Sequence, residues 1–261
     1  YRKRLVCSAL CRDAGLHFVN GVTGIELFQV WSFYAAHAEA AFPFQHMGKM
    51  DFGPSRFGRD PNTEAYKGRR VELTGRSLAA QKRDAEIGQA TFARLGRLPM
   101  PSVAIVNGYA FGGGLELALA CTFRLATKNA RMGQPEIKLG LIPGYGGTQR
   151  LPRVIGEARA LEMIMTGRTV DAEEAHRIGL VNRLIDGDAV AQGITFAREF
   201  SGYSLPVLGF AREAVTRALD NPVHEGLRIE ADLSTLAFRT EDAAEGMDAF
   251  AAKRKPRFKD K

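Results

Sequence analysis

The chain has few of the residues that build disulfide frameworks or metal sites. Its 261 residues include three cysteines, Cys7, Cys11 and Cys121, which are too few and too scattered for either kind of framework. We predict that Cys121 is a small buried residue and that the protein works in a reducing compartment. The histidines lack metal-ligand spacing, and we interpret them as structural or surface residues: His17, His37, His46, His176 and His224. No bound metal is therefore expected.

Long uncharged apolar runs are also absent. The densest apolar stretch, residues 22–42, is interrupted by Glu26, Gln29, His37 and Glu39. No run approaches the roughly 18 residues that cross a bilayer, so we predict neither a transmembrane helix nor a membrane partner. Hydrophobic residues make up 45% of the chain and charged residues 25%, which is typical of a soluble globular protein. The length of 261 residues suffices for one sizeable domain or for a domain with an appendage.

The chain is basic but lacks a nucleic-acid recognition motif. Its formal net charge is +7, yet the basic residues are spread along the chain, apart from a cluster at residues 253–259. A solvated surface or an anionic ligand that carries phosphates explains this charge at least as well as a nucleic acid does. We therefore do not expect nucleic acid as the main partner. RNA binding would show an affinity that falls steeply with salt.

The most informative stretch of the chain is residues 103–120. A short apolar run, residues 103–106, ends at Asn107 and Gly108 as a buried strand ends at a turn. Three glycines, residues 112–114, then precede an apolar segment that predicts a buried helix from Leu115. A helix that starts at a glycine corner presents bare backbone N–H groups where the helix dipole favours negative charge. Such N–H groups can form an oxyanion hole, although glycines alone could equally serve close packing of a helix on a sheet.

Two glutamates accompany the glycines. Glu116 falls in the first turn of the predicted helix with apolar neighbours on both sides, and a buried carboxylate is costly without a partner or a task. Glu136 follows Gln134 and Pro135, ahead of a second glycine-rich loop at residues 144–147, and could by itself be an exposed loop acid. Phosphate-loop, G-x-G-x-x-G and G-x-S-x-G motifs are absent, so neither a phosphate cradle nor a covalent nucleophile is indicated.

Taken in order, these pieces resemble the enoyl-CoA hydratase/isomerase (crotonase) family. The matching segments, from about residue 100 to the end, are residues 107–118, 133–136, 140–151, 166–181 and 245–258. The resemblance implies an α/β, crotonase-like (ClpP/crotonase) fold, a spiral of repeated ββα units with a C-terminal helical oligomerisation block. It also implies a homotrimer or a dimer of trimers.

The resemblance implies an enoyl-CoA hydratase, a hydro-lyase of fatty-acid β-oxidation that adds water to a trans-2-enoyl-CoA to give the 3-hydroxyacyl-CoA. Glu116 and Glu136 would be the acid/base pair, Gly113 an oxyanion donor and Gly144 a backbone contact to the reacting water. No cofactor is implied, since coenzyme A is part of the substrate, and the compartment would be the cytoplasm, or the mitochondrial matrix in a eukaryote. Which glutamate is the acid stays open, because coupled carboxylates titrate as a pair.

Further site residues are predicted at the two ends of the matching region. The family's first oxyanion segment is a strand, a glycine and an aromatic-x-Ala-Gly-Ala-Asp loop, and residues 71–80 lack the glycine and aspartate of that loop. By position, Ala80 is the first candidate for the other oxyanion N–H and Gln81 the second, although this segment could equally be only a strand and a helix start. Three tail residues either contact coenzyme A or form a solvated terminus: Lys253, Lys255 and Phe258.

We predict three parts of the chain. Residues 1–70 are an atypical N-terminal segment, with a helix near 24–41; residues 71–200 are the crotonase-like core; and residues 201–261 are the helical block. Asp171 should cap a helix that Gly179 ends, with Glu174 as its capping-box partner and a strand from residue 180. One further helix is predicted from the end of the glycine loop to residue 155. The other predicted helices are at residues 84–98, 157–166, 188–200, 206–219, 223–236 and 241–253. Strands are predicted at residues 103–106 and 123–127.

Two alternatives to a hydratase stay open. A double-bond isomerase of the same family can also work with an acidic residue, although the presence of both Glu116 and Glu136 favours the hydratase. A non-catalytic relative could keep the fold and serve as a binding or assembly protein. The atypical first 70 residues and the altered oxyanion segment motivate that second alternative.

Overall fold

A computed structural model describes residues 75–261 of the chain. The predicted N-terminal segment and the strand that was expected from residue 71 lie outside these residues. The described chain divides into two compact units. The sheet unit consists of residues 75–97 and 102–193, and the helical unit consists of residues 98–101 and 194–261. The domain boundary predicted at residue 200 stays a prediction.

Six short strands and nine α-helices make up the described chain. The strands are β1 Val103–Val106, β2 Tyr109–Phe111, β3 Phe123–Thr127, β4 Arg131–Gly133, β5 Thr169–Asp171 and β6 Arg183–Ile185. The helices are α1 Leu78–Gly96, α2 Gly113–Ala120, α3 Gly147–Ile155, α4 Glu157–Thr166, α5 Ala172–Arg177, α6 Ala189–Arg198, α7 Leu205–Arg217, α8 Val223–Phe238 and α9 Glu241–Ala251. A 3-10 helix, Pro135–Leu139, follows β4. No helix within residues 75–261 is long and apolar enough to cross a membrane.

The strands form two three-stranded sheets, and the chain passes from one to the other four times. One sheet has the order β1-β3-β6 with all neighbours parallel, and the other has the order β2-β4-β5 with only the β4–β5 pair antiparallel. The turn at Asn107 and Gly108 carries the chain from the first sheet to the second, after which α2 begins. Parallel strands covered on both faces are apolar along their length, and β3 is buried from Arg124 to Thr127. Because β2 pairs with β4 and one residue separates the end of β2 from α2, the start of α2 lies beside β4 and the segment that follows it.

A buried arginine fixes the far end of α2. The Arg124 side chain donates from Nε to the Leu180 carbonyl at 2.8 Å and from Nη1 to the Cys121 carbonyl at 3.0 Å. The backbone N–H of Arg124 donates to Asn182 Oδ1 at 2.7 Å. Burial lowers the pKa of this guanidinium, and the two carbonyl oxygens replace part of the water that it has lost. The same contacts join the end of α2 to the chain that enters β6.

The core of the sheet unit is built from apolar side chains of several elements. The largest fully buried ones are Leu115, Leu125, Met132, Leu151, Met163, Leu180 and Val170. Cys121 is 4% exposed, which confirms its prediction as a small buried residue. Burial raises the pKa of its thiol to about 11, so the thiolate is disfavoured.

The helical unit holds the end of the chain in place. The Asp242 carboxylate at the start of α9 is buried and accepts hydrogen bonds from the N–H groups of Lys259, at 2.6 Å, and Asp260, at 2.9 Å. Glu245 accepts from the Arg254 side chain and from the Arg257 N–H, and these bonds lower its pKa to about 2. The last residues are therefore folded against α9.

Most of the predicted elements are confirmed. The strands at residues 103–106 and 123–127 and the helix at residues 157–166 have the predicted bounds, and the helix that ends at residue 155 and the four C-terminal helices lie within two residues of theirs. Asp171 caps α5, as its Oδ1 accepts from the Glu174 N–H at 2.8 Å, and Gly179 has the left-handed φ of +83° expected at a helix end.

Several details of the prediction are wrong. Helix α1 begins at Leu78 rather than residue 84, because the Ser77 hydroxyl caps it. The Glu174 carboxylate does not complete a capping box, because Arg168 binds it at 2.8 and 3.0 Å. The strand after Gly179 begins at Arg183, since the N–H groups of residues 180 and 181 both donate to the Ala175 carbonyl.

The core placement predicts the effect of shortening a leucine on β3. Leu125 is fully buried in the centre of the first sheet, so Leu125→Ala should lower the free energy of unfolding by about 2–5 kcal/mol. Leu184 on the neighbouring β6 is 43% exposed, and Leu184→Ala should cost less than about 1 kcal/mol. Urea denaturation of both variants measures the difference. Equal losses would contradict the described core.

Candidate active site

The corner between β2 and α2 accepts only glycine at its centre. Gly112 has φ +53° and ψ −126°, and a Cβ added there would lie 2.8 Å from Glu136 Oε1. The Gly112 N–H donates to the Gly133 carbonyl at 3.1 Å, which extends the pairing of β2 with β4. The 3-10 helix follows β4 almost directly, so the pairing of β2 with β4 brings the first residues of the 3-10 helix against the corner. The backbone at Gly112 and the Glu136 carboxyl are therefore in direct contact.

Glu116 is a buried carboxylate held by a loop. It lies in the first turn of α2, is 1% exposed, and its Oε1 accepts from the Tyr145 N–H at 2.7 Å and the Gly147 N–H at 2.8 Å. Burial raises the pKa of Glu116, while the two N–H bonds and the charge of Arg150 oppose that rise without cancelling it. The structure thus confirms the predicted helical turn and the burial of Glu116, with a partner that is backbone rather than a cation.

Glu136 occupies a different environment a short distance away. It is half-buried at the start of the 3-10 helix, and its pKa is raised to about 7 by burial, with a smaller contribution from the negative charge of Glu116. The fully buried Gln134 amide, oriented with its nitrogen towards Glu136, donates to the two carboxyl oxygens at 3.0 and 3.2 Å. These two bonds favour the ionised carboxylate and so oppose the rise, and a pKa of about 7 leaves both forms of this carboxyl present at neutral pH.

Gln134 was not predicted as a site residue. Its side chain reaches Glu136, and a Cβ placed on Gly147 would come within 2.7 Å of the same amide and 3.1 Å of the Glu116 side chain. Gln134 is therefore close to both glutamates. The available signal was a polar residue at the end of a buried strand, two positions before a candidate carboxylate.

The glycine loop that holds Glu116 is supported from two sides. The Tyr145 carbonyl accepts from Arg150 Nη1 at 2.9 Å, and the Gly144 carbonyl accepts from Gln89 Nε2 of α1 at 2.9 Å. The Tyr145 ring packs edge-to-face on Phe92 of α1, with ring centroids 5.8 Å apart. Gly144 is thus placed in the loop next to a Glu116 donor, and its predicted contact with water stays a prediction.

The predicted oxyanion donors have different surroundings. The N–H of Gly113 is the first of α2, at the positive end of the helix dipole, and it has no acceptor among residues 75–261. The Ala80 N–H donates to Ser77 Oγ at 3.2 Å and the Gln81 N–H to the Ser77 carbonyl at 3.0 Å, so both form part of the cap of α1. Their roles as oxyanion donors stay predictions.

The predicted coenzyme A contacts lie in the helical unit, whereas both glutamates lie in the sheet unit. Lys253 and Lys255 are exposed, and Lys253 has a positive φ of 49° at the end of α9. Phe258 is half-buried beside Gly246. These three residues therefore belong to an ordered tail, and their contact with coenzyme A stays a prediction. Within the described part of the chain, no group of His, Cys, Asp or Glu is arranged to hold a metal ion.

The site contains two carboxyl groups in different surroundings. Glu116 has one oxygen occupied by two N–H groups, and Glu136 has a pKa of about 7, close to the value that suits proton exchange at neutral pH. The first turn of α2 adds a backbone donor at a positive helix end. This set of groups can activate a water molecule, move a proton and stabilise a developing oxyanion.

Comparison with known proteins matches both the sequence and the fold. The sequence profile described as enoyl-CoA hydratase/isomerase matches residues 70–261. A probable enoyl-CoA hydratase of Rhizobium meliloti is 49% identical over 160 residues, which are 61% of this chain and 62% of that protein. A crotonyl-CoA hydratase of Syntrophomonas wolfei is 39% identical over 176 residues, 66% of each chain. The chain thus spans less than two thirds of the length of these relatives.

Solved structures agree with the described fold. The crystal structure of enoyl-CoA hydratase from Bacillus anthracis superposes with a TM-score of 0.68 and 36% sequence identity, over 72% of this chain and 73% of that one. The enoyl-CoA hydratase/isomerase from Cupriavidus metallidurans gives a TM-score of 0.68 at 31% identity. The predicted crotonase-like α/β fold is therefore confirmed for the region that matches.

The raised pKa of Glu136 predicts how stability changes with pH. The folded protein binds a proton at Glu136 up to a pH of about 7, whereas the unfolded chain releases it near 4.5, so this carboxyl lowers stability as pH rises through that window. Glu136→Gln removes the titration. We expect the free energy of unfolding of the variant, relative to that of the parent, to rise by about 1 kcal/mol from pH 5 to pH 8. This value is small because solvent partly screens the site.

Urea denaturation at the two pH values measures this gain. The control is Glu173→Gln, which makes the same chemical change at an exposed position and should show no gain. If the difference between Glu136→Gln and the parent is the same at both pH values, the described environment of Glu136 is wrong.

Proposed function

Because the chain belongs to the enoyl-CoA hydratase/isomerase family, we propose that it adds water across the 2,3 double bond of a trans-2-enoyl-CoA to give the 3-hydroxyacyl-CoA. The observation that carries this proposal is the pair of glutamates at the Gly112 corner. Glu116 and Glu136 interact electrostatically, yet one is held by backbone N–H groups and the other has a pKa of about 7.

The two carboxyl groups support a division of the proton transfers. Glu116 has one oxygen bound to the loop, so its other oxygen orients the water and takes a proton as the hydroxyl adds to C3. Glu136, protonated in part at neutral pH, delivers a proton to C2. Exchange of the proton between the two groups restores the site, and the net change is the addition of one water molecule.

Negative charge that develops on the thioester oxygen during the reaction needs a hydrogen-bond donor that is already in position. We propose the Gly113 N–H for this role, because it opens α2 at the positive end of the helix dipole and has no acceptor within the described residues. The proposal requires no metal or redox cofactor, since the thioester itself activates the double bond. An isomerase of the same family would only need to move a proton, for which one carboxyl group suffices. The second carboxyl group, which can bind and activate water, favours the hydratase.

The test of the function is the loss of conjugated-thioester absorbance of crotonyl-CoA. The parent should consume it, and Glu116→Gln and Glu136→Gln should each lower kcat by about a hundredfold or more, as expected when a general acid or base is removed. Glu173→Gln, an exposed change of the same kind, should keep the parent rate. A folded parent that leaves crotonyl-CoA unchanged would overturn the proposal and favour a binding or assembly protein.

We also propose self-association through the helical unit, as a homotrimer or a dimer of trimers. Large apolar side chains of this unit are exposed in the single chain, among them Phe250 at 87%, Val215 at 73% and Phe238 at 69%. Apolar exposure of this extent is typical of a surface that is covered by a partner. Multi-angle light scattering should give a mass of three or six chains, and a monomer at micromolar concentration would contradict this proposal.

A further inference from the structure

We propose that the side chain of Tyr145 is a positioning group for Glu116. By seating its ring on Gly88 of α1, Tyr145 holds the glycine loop where the N–H groups of residues 145 and 147 bind the carboxylate. The catalytic part of this inference rests on the proposed function. The structural part, a link from α1 to Glu116 through one residue, does not.

The ring fills a notch that only glycine leaves open. A Cβ added to Gly88 would lie 2.3 Å from Tyr145 Cδ1 and 2.5 Å from Cε1, which is closer than real Cβ contacts come. Phe92, one turn further along α1, meets the same ring edge-to-face. The ring therefore touches α1 at two successive turns, and Gly88 sets how closely α1 and the glycine loop approach.

The backbone of Tyr145 is bound on both sides of its Cα. Its N–H donates to Glu116 Oε1 at 2.7 Å, and its carbonyl accepts from Arg150 at 2.9 Å. The preceding residue, Gly144, is bonded to Gln89 of α1. A displacement of the ring therefore moves an N–H group that binds the carboxylate, in a part of the loop that contains glycine at positions 144, 146 and 147.

The effect of this link on Glu116 has a definite direction. The bonds from Tyr145 and Gly147 favour the ionised carboxylate, so weakening either one raises the pKa of Glu116 further. Among residues 75–261, the other charged or titratable groups that interact electrostatically with Glu116 are Glu136 of the 3-10 helix, Arg150 of α3 and the Tyr145 hydroxyl. A carboxyl that stays protonated to higher pH is a weaker base for water.

The experiment compares two glycine-to-alanine changes on one helix. Gly88→Ala places a methyl group where the Tyr145 ring lies. Among the described residues, a Cβ at Gly96 meets only the Ala120 carbonyl, at 3.6 Å. Both changes raise helix propensity, so Gly96→Ala is the matched control. Tyr145→Ala removes the ring, Tyr145→Phe keeps it without the hydroxyl, and Gly88→Ala with Tyr145→Ala removes both partners of the contact.

Two readouts separate positioning from general stability. Titration of the Glu116 carboxyl by ¹³C NMR, with its signal identified by loss in Glu116→Gln, reports the pKa whether or not the protein is an enzyme. The pH profile of crotonyl-CoA hydration reports the consequence for kcat. Gly88→Ala and Tyr145→Ala should raise the pKa of Glu116 and lower kcat by about tenfold with little change in KM, the size expected for one hydrogen bond to a charged group.

The remaining variants decide the matter. Gly96→Ala should match the parent, Tyr145→Phe should restore most of what Tyr145→Ala loses, and the double variant should be no worse than Tyr145→Ala, because both changes act through one contact. The proposal is overturned if Gly88→Ala leaves the pKa of Glu116 and kcat as Gly96→Ala does, or if Tyr145→Phe loses as much as Tyr145→Ala. It is also overturned if the variants change the preference for acyl-chain length and leave both readouts unchanged. If Gly88→Ala does not fold, the two Tyr145 variants alone decide. A parent without hydratase activity would end the proposed function, and the NMR titration would still test the link.

Discussion

The burial of Glu116 is the constraint on which the rest of the site depends. A carboxylate at 1% exposure inside an apolar helix is tolerated only where polar partners replace the water it has lost. Two N–H groups of one loop, from Tyr145 and Gly147, supply that replacement. The loop must therefore be held in register with α2, and this requirement accounts for the supports it receives from Arg150 and from α1.

The two glutamates differ because their surroundings come from different parts of the chain. Glu116 is bound by the backbone of the loop before α3, while Glu136 is approached by Gln134 and by the bare backbone at Gly112. Each environment raises the pKa of its carboxyl, and the proximity of the two charges adds to the rise at Glu136. Separating the behaviour of two identical side chains in this way is a general route to acid and base chemistry in one site.

The sequence predicts best those elements whose signals are local. Capping by Asp171, the apolar run of β1 and the bounds of α4 all follow from neighbouring residues, and the structure confirms them. Local signals fail where a partner outside the motif competes. Arg168 takes the Glu174 carboxylate away from a capping box, and nothing near Gly88 in the sequence indicates that an aromatic ring from residue 145 lies on it. The glutamates could be named in advance, whereas Gln134 and the support of the loop depend on contacts between elements.

Gly112 has a consequence for the way this site can change over evolutionary time. Its backbone has φ +53°, and Glu136 Oε1 lies 2.8 Å from the place where any side chain would begin. Every single-nucleotide change that replaces a glycine introduces a Cβ, so each one meets both obstacles at once. A viable departure would need simultaneous changes at the corner and at the 3-10 helix, which a stepwise process rarely provides. The backbone of this corner and the position of Glu136 are therefore constrained together.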